Sequence, residues 1–184
     1  MIDFLKKTYY DPNYSVNTKG NNESVIHNGK DAKTNVGVII EAKSPIKKTE
    51  MITVANLNGK ASQELVLYYV REHITHKNTE LKHVVVTNIH EWFVFDAQLF
   101  NKLFAENKSF TKQFIDFEEG RMSGRTTDYF YKEIAKPFIE SVQNTIEFAY
   151  FDIRKYDKPL QNVNKEDDKL LVALFKLLST EHLL

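Results

Sequence analysis

Three ionisable residues are spaced for chemistry. Glu41 and Lys43 close the apolar run VGVIIEAKSP, residues 36–45, and Glu23 opens the run ESVIH ahead of it. On an extended strand residues i and i+2 share a face, so the Glu41 carboxylate and the Lys43 ammonium would project into one volume. If the two runs form a hairpin centred near Ala32, Glu23 stands opposite Glu41 and completes an acidic pair. A slip of one residue would send the carboxylates to different faces. Paired hard oxygen donors, with water in the other positions, suit Mg²⁺, and the Ala42 carbonyl is a further candidate ligand. A lysine beside such an ion can stabilise phosphate charge or orient and deprotonate an attacking water, as in metal-assisted phosphodiester hydrolysis. Glu64 and Tyr68, four residues apart, would share a helix face from which Glu64 reaches Lys43. The competing reading of Glu41 and Lys43 is a solvated ion pair that guards a sheet edge. For Glu64 and Tyr68 it is a surface helix pair.

The elements that must position these groups follow from patterning. A first helix, Ile2 to Tyr9, breaks at Asp11-Pro12, and Asn17 to Asn22 has loop chemistry. ESVIH and VGVIIEAK are strands on either side of a polar turn. Leu65, Val66, Tyr69, Val70, His73 and Ile74 recur at helical spacing between Lys60 and His76. LKHVVVTN and EWFVFDA are strands around a tight Ile89-His90 turn, and Asp96 caps a helix carrying Leu99, Phe100, Leu103 and Phe104. A further helix covers Phe110 to Phe117, GRMSGRTT is a joint, Asp128 caps a helix through Pro137, and IEFAYFDIR is a last strand. Asp167 and Asp168 open a C-terminal helix with Leu171, Leu174, Phe175 and Leu178 on one face. A hairpin, a crossover helix and another strand imply an α/β domain with a mixed central sheet flanked by helices.

Composition narrows the function. With 184 residues, 42% of them hydrophobic, the chain can bury a core. The 25 basic and 25 acidic side chains cancel, so any nucleic-acid affinity must come from a local basic patch. The absence of cysteine excludes disulfides, thiolate zinc sites and cysteine nucleophiles. No stretch approaches the roughly 20 apolar residues of a membrane span, and a cytoplasmic location is the expectation.

Other groups invite weaker readings. His73 and His76 could bind zinc with His83 or His90, but no carboxylate or cysteine stands at a spacing that closes such a site, so half-buried histidines are the simpler account. Lys19, Lys30, Lys33, Lys47 and Lys48 lie around the acidic pair in sequence, and Arg121 and Arg125 flank the joint; these could grip phosphates. Trp92, Phe93 and Phe95 have the spacing of strand packing more than of a base-stacking platform.

The acid, spacer, Glu-x-Lys pattern resembles that of the PD-(D/E)XK nucleases. Glu64-xxx-Tyr68 looks like a variant of the Gln-xxx-Tyr pair of some branches. The likeness extends in order along the chain through NTKG, VIHNGKDAKTNVGVIIEAKSP, QELVLYYVREHITHKN, VTNIHEWFVFDAQ, YKEIAKPFI, FDIRKYD and EDDKLLVALFKLLSTEHLL. Together these segments resemble the N-terminal nuclease region of single-chain Type IIG restriction-modification enzymes of bacteria. The resemblance implies a restriction-endonuclease-like fold and a type II site-specific deoxyribonuclease acting on double-stranded DNA. Glu23 and Glu41, with the Ala42 carbonyl, would hold Mg²⁺; Lys43 would be catalytic; Glu64 and Tyr68 would orient it. It further implies a nuclease-like domain over residues 1–157, then a linker and C-terminal helix over 158–184 leading toward downstream methyltransferase and target-recognition partners. Two copies would meet for double-strand cleavage. Glu23-Ser24 stands where that family has Asp-Leu, a departure that leaves open a catalytically inactive DNA-binding or docking module. Neither Asn-Pro-Pro-Tyr nor a glycine-rich strand-to-helix turn occurs, so methylation is not expected of these residues.

Overall fold

The structure, a computed structural model, describes residues 1–19, 23–156, 172 and 175–184. A six-stranded mixed sheet lies between two layers of helix, the α/β arrangement that the sequence pattern implies. The strands are β1 Val16–Lys19, β2 Glu23–His27, β3 Val36–Ala42, β4 His83–Thr87, β5 Glu91–Asp96 and β6 Ala149–Asp152. Their order across the sheet is that of the chain, and every neighbouring pair is antiparallel except β3 with β4. That parallel pair requires a crossover, supplied by helix α2, which begins as Lys60–Val70 and continues as Arg71–Thr75.

Alternation along the strands makes two cores. Val25, Ile39, Val84, Val86, Phe93 and Phe95 face α2 and three further helices on one side. These helices are α3 (Ala97–Phe100, continued by Asn101–Ala105), α4 (Lys108–Glu118) and α5 (Thr127–Tyr129, continued through Phe130–Ala135 and Lys136–Val142). Ile26, Val38, Ile40, Val85 and Trp92 face the other side, where α1 (Ile2–Leu5, continued by Lys6–Tyr10) and the C-terminal residues Leu178 and Leu183 cover them. The Tyr10 hydroxyl donates to the Leu178 carbonyl at 2.7 Å and ties these two layers together. Gly37 interrupts the apolar run of β3 because a side chain there would collide with Asn28 and Leu184.

Some elements depart from the sequence pattern. Asn17 to Lys19, expected as loop, belong to β1, an edge strand whose polar residues carry no apolar alternation to announce it. Gly20 to Asn22 lie outside the described residues. Thr126, not Asp128, caps α5, its hydroxyl accepting from the Tyr129 amide. Asp128 instead sits in the first turn and pairs with Lys132 at 2.8 Å. The helix also runs on past Pro137 to Val142, with the proline near the start of its last segment. Asp96 does cap α3, accepting from the Gln98 amide at 2.7 Å. Trp92 stacks on Phe151, and Phe93 and Phe95 join the opposite core, so the aromatic alternation is strand packing. The linker from residue 158, and Asp167, Asp168, Leu171 and Leu174 of the C-terminal helix, lie outside the described residues.

Candidate active site

The site forms where strand ends meet α2. Ser24 pairs with Ile40 and Val25 with Ile39, a register that centres the hairpin on Ala32. One step further along it, Glu23 faces Glu41. Val25 and Ile39 both point to the α2 side, and residues two apart share a face, so Glu23, Glu41 and Lys43 share that side. The Lys43 amide donates to the Thr87 carbonyl at 2.8 Å, which continues the β3 to β4 ladder and holds the C-terminal end of β3 in line.

Lys43 is clamped between two carboxylates. Its ammonium lies 2.8 Å from Glu41 Oε1 and bonds Glu64 Oε2 from α2. Glu64 is positioned because α2 packs its apolar face, Leu65, Val66 and Tyr69, on the sheet, which turns Glu64 toward the strand ends. Lys60, one turn earlier at the start of α2, approaches Glu64 at 3.8 Å and Glu50 at 3.4 Å.

Two oxygens at this site have no partner. Among the described residues, the buried side-chain nitrogens and oxygens that lack a hydrogen bond are Glu23 Oε2 and Glu41 Oε2. Glu41 is 1% exposed. An unsatisfied buried polar group costs about 1–3 kcal/mol, and more when charged, a cost that a bound cation or a proton would relieve. The described residues contain no group of three or more His, Cys, Asp or Glu side chains able to cage a metal. The donor set is therefore two carboxylates and the Ala42 carbonyl, with water or substrate oxygens to complete it. That composition fits Mg²⁺, which keeps several waters and takes few protein ligands.

Proton affinities follow from burial. Desolvation raises the Glu41 carboxyl to about 7, against the opposing pull of Lys43. Burial also works against the Lys43 ammonium, but bonds to Glu41 and Glu64 more than offset it, so Lys43 holds its proton above the usual lysine range. The Tyr68 phenol is raised by burial and then by the charge of Glu41, with Glu64 and Glu23 adding to it. Tyr131 of α5 is raised by burial and then by Glu64.

Of the five side chains read from the sequence, Glu41, Lys43 and Glu64 are joined by direct contacts, while Glu23, by register, and Tyr68, by its packing, lie on the same side of the sheet. The remaining lysines do not gather there. Lys30 and Lys33 lie in the turn between β2 and β3, at the far end of the hairpin from Glu41. A strand rises about 3.3 Å per residue, so residues near in sequence to both ends of β3 are separated by its length. Lys19 pairs with Glu72, and Arg121 with Asp116 and Glu119. Lys47 and Lys48 are exposed at the site end. Sequence reasoning missed Lys60 and Tyr131; the i, i+4 spacing of Lys60 and Glu64 signals the first, and no local pattern signals the second.

The described geometry defines an α/β protein with a carboxylate pair and a clamped lysine at the end of a mixed sheet. The chain belongs to the family described as Domain of unknown function (DUF7149), whose model matches residues 1–184. No curated protein and no solved structure matches it. Among the described residues no helix is long and apolar enough to cross a membrane.

Proposed function

We propose that this chain is a Mg²⁺-dependent DNA endonuclease domain of the PD-(D/E)XK kind, part of a bacterial Type IIG restriction-modification system. The observation that carries this reading is the pair of buried, unpartnered oxygens, Glu23 Oε2 and Glu41 Oε2, on the sheet face that also holds Lys43. The pattern-level resemblance along the chain supports the same reading.

Glu23, Glu41 and the Ala42 carbonyl would hold the ion. Mg²⁺ bound there supplies Lewis-acid polarisation of the phosphoryl group and eases deprotonation of an attacking water. Hydrolysis joins the water oxygen to phosphorus, breaks one P–O ester bond and delivers a proton to the departing oxygen. Lys43, protonated and tethered by Glu64, contributes positive charge to the phosphorane-like transition state; its raised proton affinity suits that role better than base catalysis. Glu64 holds the ammonium when Glu41 engages the ion. Tyr68, one turn of α2 beyond Glu64, would support the placement of Lys43. Exposed Lys47 and Lys48 offer positive charge to the duplex at the same end. Downstream methyltransferase and target-recognition partners would supply site choice, and a second copy would cut the other strand.

Plasmid nicking tests the reading. The chain, alone and joined to its recognition partner, should nick supercoiled DNA with Mg²⁺ and not with EDTA, and Lys43→Ala should lose at least about 100-fold of that rate. Equal rates in both proteins remove Lys43 from the mechanism. Duplex binding without Mg²⁺-dependent nicking in either setting favours a catalytically inactive DNA-binding module of the same fold.

A further inference from the structure

The segment FDIRKYD has no part in the site described above, yet it ends at the same edge of the sheet. Asn88 follows β4 beside Lys43, its amide donates to the Glu91 carbonyl at 3.2 Å, and Glu91 pairs in register with Asp152. Lys43, Asn88, Glu91 and Asp152 therefore form one row across four strands. At about 4.8 Å per strand, Asp152 lies about 14 Å from Lys43. The row keeps to the α2 side, because Phe93 and Tyr150, each two residues from a member of it, pack in that core.

Arg154 stands at the end of this row with its guanidinium fixed. Its Nε and one terminal nitrogen bond the two oxygens of Asp152, both at 2.8 Å, and the same terminal nitrogen reaches Glu91 at 3.3 Å. Glu91 is itself held by the Asn88 amide at 2.8 Å and the Tyr150 hydroxyl at 3.1 Å. Lys155 places a second cation 5.7 Å from the centre of the Tyr150 ring. The Arg154 side chain remains 51% exposed. Such an exposed ion pair contributes little to stability, about 0–1 kcal/mol. An arginine ordered in advance, however, spares a ligand the rotamer entropy of fixing it, and these bonds leave the two N–H donors of the other terminal nitrogen for a phosphate oxygen.

We propose that Arg154, steadied by Asp152 and Glu91, binds a backbone phosphate of the DNA duplex whose scissile bond lies at Glu23 and Glu41. This rests on the DNA reading of the neighbouring site and adds to it a second, chemically separate contact.

The test is binding of a short random-sequence duplex to the full chain at low salt without divalent metal, followed by a salt titration. Arg154→Gln should weaken affinity about three- to tenfold and reduce the salt slope by about one. Lys112→Gln, an exposed charge on α4 remote from the row, controls for net charge. An unchanged Mg²⁺ isotherm shows that each variant keeps the fold. Wild-type binding with Arg154→Gln indistinguishable from wild type or from Lys112→Gln overturns the phosphate contact and leaves the nuclease reading standing. Absence of any salt-dependent binding by the wild type overturns both.

Discussion

Two groups of carboxylates and cations share one end of the sheet and differ in what they leave unsatisfied. Around Arg154, all four oxygens of Glu91 and Asp152 have hydrogen-bond partners, and the guanidinium is half exposed. Around Lys43, one oxygen of Glu41 and one of Glu23 have none, although both are buried. The difference follows from position: β3 is central and covered by α2, whereas β6 is an edge strand. A satisfied, solvated ion cluster is cheap to keep, while a buried carboxylate without a partner is costly and persists where something else binds it. On the proposed function, the ion would sit with the Lys43 group and the Arg154 group would support it.

Removing the central cation should break the contrast most severely. Lys43→Met leaves Glu41 and Glu64 buried without compensation and should destabilise the metal-free protein by about 3–5 kcal/mol at pH 8, measured by urea unfolding. A loss below about 1 kcal/mol would show that the site is wet enough to tolerate two bare carboxylates.

The pH dependence sharpens it next. Because burial raises the Glu41 carboxyl from 4.5 to about 7, its stabilising term is fully present below pH 4.5 and is lost as pH rises through about 7. Metal-free wild type should therefore lose stability over that window relative to Glu41→Gln, and Mg²⁺ should restore it at pH 8 in wild type only. Binding of Mg²⁺ near pH 6 should release a proton, read as a buffer-dependent enthalpy. A metal-free stability difference between the two proteins that stays flat from pH 4.5 to 7 would contradict the burial argument.

Smaller effects separate the two groups further. Glu64→Gln should reduce the nicking rate about tenfold while leaving Mg²⁺ affinity within a few-fold, since it acts through Lys43. Equal losses in rate and affinity would make Glu64 a ligand. In the turn between the two groups, Ile89 holds φ +78°, a conformation costly for a β-branched residue, and it is 46% exposed. Ile89→Asn should gain up to about 1 kcal/mol of stability by thermal unfolding. Arg154→Gln should change stability by less than about 1 kcal/mol, in contrast to Lys43→Met.

Residues close in sequence carried much of this. The branched apolar runs VGVII and ESVI placed both strands, and the polar turn between them implied the register that sets Glu23 across from Glu41. The i+2 rule put Lys43 on the same side, and the spacing of Leu65, Val66, Tyr69 and Val70 turned Glu64 inward. The polar strand Val16–Lys19 had no such signature, because edge strands need bury only one side. Thr126 displaced Asp128 as the cap because α5 begins two residues earlier than its acidic residue implied.

Local pattern by itself determined the strands, the crossover helix and the shared face of Glu41 and Lys43, since the pleat and the helical turn repeat over a few residues. The tertiary structure alone decided the depth of Glu41, the approach of Tyr131, and the alignment of Asn88, Glu91 and Asp152 with Lys43. Those depend on which strands become neighbours and how far they slide, and hydrogen bonds between segments up to about a hundred residues apart carry no imprint in the local order of side chains.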